Sequence, residues 1–169
     1  QVRSEGHKIT ADIYTYNASS TGLTGVIPTW VQEGGHKAWI NRMKDPEVRP
    51  RLLADIRKEL SEQPPEGILM VGFKTSNMSK KYLAKTVAEA AKMRGQSPEE
   101  AIIDMVIEDD NRIQCIYFSM SDENIAKKMQ IPWVSFCSDA GTYSDISNKF
   151  RTHPRAFGSF IRVLGKYSR

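Results

Sequence analysis

Hydrophobic and polar positions along this chain follow two periods, and the switches between them mark out its elements. Residues 9–16 place β-branched and aromatic side chains in near alternation, which predicts a strand, and the polar run from Asn17 to Gly22 predicts a turn ending it. Residues 29–43 read as short helical pieces interrupted by Gly34-Gly35. Val48, Leu52, Ile56 and Leu60 then recur at helical spacing and predict an amphipathic helix closed by Gln63-Pro64-Pro65-Glu66-Gly67. The continuous apolar run over 68–73 has the length of a buried strand.

Leu83, Val87 and Ala91 form a further helical stripe, followed by the clearest local signal in the chain. Gly95 can supply a left-handed cap, Ser97 an N-cap oxygen, Pro98 the first helical position and Glu100 the reciprocal partner of a capping box. The helix so started is expected to reach about Asp110, with a strand over 112–118, a helix over 120–130 capped by Ser121, and a strand over 132–136. Phe157, Phe160, Ile161 and Leu164 keep helical spacing behind Pro154. Alternating α and β elements predict parallel strands joined by crossover helices, with four strands visible and no linker that divides the chain.

Composition narrows the classes. At 169 residues, 40% hydrophobic and 26% charged, the chain can bury one ordinary core, and no apolar run approaches the ~18 residues of a membrane span. No membrane partner is expected. The net charge of +4 comes from Lys and Arg interleaved with Asp and Glu, without a basic-aromatic pattern, so no nucleic-acid partner is expected either. Cys115 and Cys137 lie in apolar runs without CxxC spacing and read as buried free thiols. A cytoplasmic location is favoured; secretion stays open, because the first residue is Gln1 rather than Met.

Candidate chemistry gathers where strands end. Ser138-Asp139-Ala140-Gly141 follows a short apolar run, and His153-Pro154-Arg155 opens the last amphipathic segment beyond a polar loop. If the strands are parallel, one rim collects the turn from Tyr14 to Thr21, Ser119-Met120, Asp139 and the turn from His153 to Arg155. Asp139 is a candidate catalytic carboxylate or a loop cap. Arg155, at a helix N-terminus, is suited to hold a carboxylate or to form a surface salt bridge. Tyr14 and Tyr16 read as packing residues, and Met120 as a gap-filler or a pocket wall. His153 could orient a neighbour or donate to an anion, whereas His7 and His36 read as surface loop residues. The three histidines carry no HxH or HExxH spacing, so no metal ligand is assigned.

Residues 11–21, 118–124, 138–141 and 153–167 together resemble the N-acyl-D-amino-acid deacylases, or D-aminoacylases, of the amidohydrolase superfamily. The most specific block is His153-Pro154-Arg155-Ala156-Phe157-Gly158-Ser159 and the helix it opens. The resemblance implies a zinc-dependent hydrolase that releases a D-amino acid and a carboxylate from an N-acyl-D-amino acid. It puts the general base at Asp139, taking a proton from the attacking water and passing it to the leaving amine. It makes Arg155 and Tyr14 the grip on the substrate carboxylate, with His153 beside them, and Ser20 and Met120 the lining of the side-chain pocket.

Thr15 stands where Pro is common between the two tyrosines, Asn17-Ala18-Ser19 replaces a Thr-Ala-Gly type of turn, Ala140 replaces a frequent Gly, and Ile161 replaces a Pro. The HxH pair and the other metal ligands of the family belong to earlier strands and have no counterpart here. A full (β/α)₈ barrel needs roughly 250 residues. The expected architecture is therefore α/β: the later part of a partial (β/α)₈ TIM-type barrel, with a helical insertion at about 22–118. Zinc would belong to the full-length parent, and the fragment alone is expected to be inactive. Open strand edges also favour self-association. Alternative readings are a cyclic-amide amidohydrolase of the dihydroorotase or hydantoinase kind, and a non-catalytic binding or interaction module.

Overall fold

The computed structural model describes residues 1–141 and 152–168. The polar loop expected between Gly141 and His153 lies almost wholly outside the described residues. Two compact units emerge. One is Ser20–Phe118; the other combines Gln1–Ser19 with the described residues from Ser119 onward.

The first unit holds most of the buried apolar side chains. Its three-stranded sheet comprises β2 (Ser19–Gly22), β3 (Ile68–Gly72) and β4 (Gln114–Tyr117), with β4 in the middle. Around it lie α1 (Thr29–Gln32), α2 (His36–Lys44), α3 (Arg49–Glu62), α4 (Ser76–Tyr82), α5 (Val87–Arg94) and α6 (Pro98–Asp109). Leu52, Ile56 and Leu60 of α3 are buried at the predicted spacing, and α6 buries Ile102, Ile103 and Val106. The capping box at Ser97 and Glu100 is formed, and Gly95 ends α5 at φ 65°.

Several expectations are corrected here. β3 and β4 are antiparallel, pairing Ile68 with Tyr117 and Met70 with Cys115, so the strands are not uniformly parallel. No closed barrel is present among the described residues. Ser19–Gly22 is a strand rather than a turn, because pairing beside β4 overrides its local turn preference. The stripe Leu83, Val87, Ala91 is broken, since α4 ends at Tyr82 and Ala84 adopts φ 61°. The backbone there bonds to β3 instead: Ala84 N–H donates to Met70 O at 2.9 Å, and Met70 N–H to Lys85 O at 2.9 Å. Thr86 then opens α5 with its own capping box to Glu89. His36 begins a helix rather than sitting in a loop. Cys115 is buried and Cys137 only half-buried; both are free.

In the other unit β1 (Ala11–Ile13) and β5 (Val134–Phe136) are parallel, with Ala11 opposite Val134 and Ile13 opposite Phe136. Only three of the residues predicted for the first strand are extended in the sheet. The helix α7 (Asp122–Met129) packs on both strands and is capped by Ser121, whose Oγ accepts from Asn124 N–H at 3.2 Å. After α8 (Arg155–Arg162) the chain makes a π turn, Val163–Tyr167, which Lys166 ties to Asp122 at 2.7 Å. Phe157, Phe160, Ile161 and Leu164 keep their predicted spacing but are exposed rather than core.

Candidate active site

Parallel pairing of β1 with β5 makes both strands end on the same side, and the site is built from the residues just beyond those ends. Cys137 N–H donates to Ile13 O at 3.0 Å, prolonging the ladder by one bond and bringing the chain after β5 beside Tyr14. Two residues on, Asp139 adopts φ 48°. This left-handed conformation costs a non-glycine residue about 1–2 kcal/mol, Asp less than most, and such strain clusters at functional sites.

Arg155, the first residue of α8, faces this turn. Its Nη2 lies 2.8 Å from Asp139 Oδ2, and its Cζ lies 4.5 Å from the centre of the Tyr14 ring. The residue is only 7% exposed, whereas the Asp139 side chain is 62% exposed. The cation is thus sheltered and the carboxylate is open to solvent. Burial pushes the Tyr14 phenol above its usual range, opposed by the neighbouring Arg155 charge, so Tyr14 is a neutral hydrogen-bonding group.

His153 supports the start of the helix. Arg155 N–H donates to its Nδ1 at 3.0 Å. Nδ1 is therefore committed as an acceptor, which in the neutral imidazole leaves the proton on Nε2. Burial, followed by the nearby Arg155 charge, lowers its pKa, which keeps it neutral. Through Nδ1 it holds the backbone of Arg155 at the start of α8.

Tyr14, Asp139, His153 and Arg155 are brought together. Met120 lines a cavity of about 560 Å³ shared with Ile13, Tyr14, Asn124, Ile125 and Trp133. Ser20 belongs to the other unit, where its Oγ accepts from Gln114 Nε2 at 2.8 Å. Sequence reasoning did not single out Gly158, Ser159 and Arg162 as support for this cluster. The available signal was their spacing from Arg155, three, four and seven positions on, which places all four on one helix face.

The zinc implied by the resemblance can be tested against the donors present. Among the described residues no three His, Cys, Asp or Glu side chains converge on a point, and Nδ1 of His153 is already taken by Arg155 N–H. These residues do not make a zinc centre by themselves.

In fold, this is an α/β chain. No family model matches it, and neither does any curated protein sequence. Solved structures do. N-acyl-D-glutamate deacylase from Bordetella bronchiseptica, solved with zinc and a phosphonate mimic of the tetrahedral intermediate, superposes with a TM-score of 0.60 at 23% identity. That match covers 99% of this chain and 25% of the deacylase. A D-aminoacylase described as defining a novel subset of amidohydrolases gives 0.58 at 22% identity, covering 99% of this chain and 26% of that one. A D-aminoacylase structure concerned with its binuclear metal centre gives 0.60 at 22% identity over the same shares. The chain spans about a quarter of the length of these neighbours, and its likeness to them is one of fold.

Proposed function

We propose that this chain forms the proton-transfer and carboxylate-binding part of a hydrolase that cleaves the amide bond of N-acyl-D-amino acids. The observation that carries the reading is the cluster of Asp139, Arg155 and Tyr14 at one pair of strand ends, in a fold shared with D-aminoacylases. Asp139 accepts a proton from the attacking water and returns it to the leaving nitrogen as the C–N bond breaks. Arg155 and Tyr14 hold the α-carboxylate of the substrate, the guanidinium by charge and the neutral phenol by a hydrogen bond. Met120 and its cavity accommodate an apolar part of the substrate, and Ser20 stays a proposed side-chain contact. In this reading the chain is the later part of a barrel, and zinc, the metal of the Bordetella neighbour, is a cofactor of the whole protein held by ligands beyond the described residues.

The test is chiral detection of free amino acid from a panel of N-acyl-D-amino acids, N-acyl-L-amino acids and cyclic ureides, using the full-length protein loaded with zinc. Release of D-amino acid from the linear D-substrates supports the reading. Turnover of the cyclic ureides alone would reassign the substrate class, and turnover of none would remove the enzymatic reading. The isolated 169-residue chain is expected to be inactive in the same assay.

A further inference from the structure

Three successive residues after β1 grip one face of α8. Tyr14 lies under the Arg155 guanidinium; Tyr16 lies under that of Arg162, with Cζ 4.4 Å from its ring centre. Between them Thr15 is fully buried and bonded in both directions. Its Oγ1 donates to Ser159 O at 2.9 Å, and its own carbonyl accepts from Arg162 Nε at 3.0 Å. Ser159, 2% exposed, passes the connection back along the helix, its Oγ donating to Arg155 O at 2.8 Å.

We propose that Thr15 and Ser159 are positioning residues that set the Arg155 guanidinium against Asp139 and over Tyr14. Tyr14 and Asp139 leave strand ends, while Arg155 rides on a helix. Both contacts of the guanidinium therefore depend on where α8 sits relative to the exit of β1. Thr15 is the residue next to Tyr14, and its hydroxyl determines that placement through a hydrogen bond with no water competing for it. Ser159 O is also the acceptor that Val163 N–H would use in an unbroken α-helix, and Val163 begins the π turn. The Thr15 bond thus falls where the ladder changes from α to π, the kind of insertion that fixes a local bend. Proline at position 15 would have no hydroxyl to give.

The placement of Arg155 stands on geometry alone, and its use in holding a substrate carboxylate rests on the function proposed above. The test is made on the full chain with 15N-labelled arginine. In the parent, the Asp139 bond is expected to slow rotation of the guanidinium and give separate Arg155 Nη signals. Thr15→Val keeps the shape and removes the hydroxyl; it is expected to merge those signals and to weaken binding of N-acetyl-D-alanine about tenfold. Thr15→Ser is expected to restore both. A folded Thr15→Val chain with unchanged Arg155 signals would overturn the proposal. If that variant does not fold, Ser159→Ala leaves the backbone acceptor of Thr15 in place and removes only the bond to Arg155 O. Unchanged Arg155 signals there would overturn it equally, and failure of both variants to fold would assign the pair to the fold rather than to positioning. Separate Arg155 signals in a parent chain that does not bind N-acetyl-D-alanine would remove the functional reading and leave the positioning role standing.

Discussion

Arg155 and Asp139 form an ion pair at 2.8 Å in which the cation is buried and the anion is largely exposed. This asymmetry separates their expected roles. A buried guanidinium with one exposed partner keeps its donors oriented, and the planar fork suits a second carboxylate in a way that an ammonium does not. In the full-length protein Arg155→Lys should raise KM for an N-acyl-D-amino acid about 10–100-fold with a smaller change in kcat, as expected for loss of a binding contact. Asp139→Asn should instead lower kcat by about 10²–10⁴, the usual contribution of a general base. Steady-state kinetics of the two variants decide between these roles; an equal effect of both on KM alone would take Asp139 out of proton transfer.

His153 makes the same cluster sensitive to pH. Burial, and then the Arg155 charge, hold its pKa below the ordinary value of 6.5, so the unfolded chain takes up this proton at higher pH than the folded one. The stability it contributes is complete above about 6.5 and is lost as the pH falls through 6.5 toward the lower folded value. Protonation also places a hydrogen on Nδ1, where Arg155 N–H already donates. His153→Asn, which offers an acceptor without titrating, should flatten the change in denaturation midpoint between pH 7.5 and pH 5.5 that the parent shows, the two values being chosen about one unit either side of the histidine range.

Much of this was legible in the sequence, for reasons that differ by element. Where local chemistry decides, as at Gly95, Ser97, Pro98 and Glu100, the residues specify the cap almost alone. The helix carrying Leu52, Ile56 and Leu60 was readable because one buried face imposes its period. Ser19–Gly22 was not readable as a strand, since only a partner distant in sequence makes it one. The break at Ala84 was hidden in the same way, because bonds to Met70 hold it. At the candidate site Asp139, Arg155 and His153 stood out by residue type, and Tyr14 only through the family resemblance. Thr15 and Ser159 did not, because a hydroxyl bonded to a backbone carbonyl 144 positions away leaves no local pattern.

The close approach of α8 to Tyr16 gives a sharper test of the packing. A Cβ at Gly158 would collide with the Tyr16 hydroxyl, so Gly158→Ala should destabilise the chain by about 1–3 kcal/mol. Tyr16→Phe removes the atom in the way. In the double variant most of that loss should be recovered, a coupling read from urea denaturation of the four proteins in the cycle. Equal losses from Gly158→Ala in both backgrounds would mean that the helix, rather than the tyrosine, resists the methyl group.

Asp109 is the corresponding test in the unit Ser20–Phe118. Its carboxylate is fully buried, and it accepts from Lys74 N–H, Thr75 N–H and Thr75 Oγ1, each at 2.9 Å. Thr75 Oγ1 in turn accepts from Met78 N–H at the first turn of α4, so one carboxylate anchors that helix to the end of α6. Asp109→Ala would leave two amides and a hydroxyl without a partner where water does not compete, at about 1–3 kcal/mol for each group left bare, reduced by whatever relaxation admits water. A total of about 3 kcal/mol or more is expected, enough to shift the unfolding midpoint plainly. Asp109→Asn keeps one acceptor oxygen for the amides and should lose less. Hydrogen exchange separates local from global loss: the amides of Lys74, Thr75 and Met78 should lose protection in Asp109→Ala before those of Ile102 and Ile103 do, because α6 keeps its own capping box and its buried face.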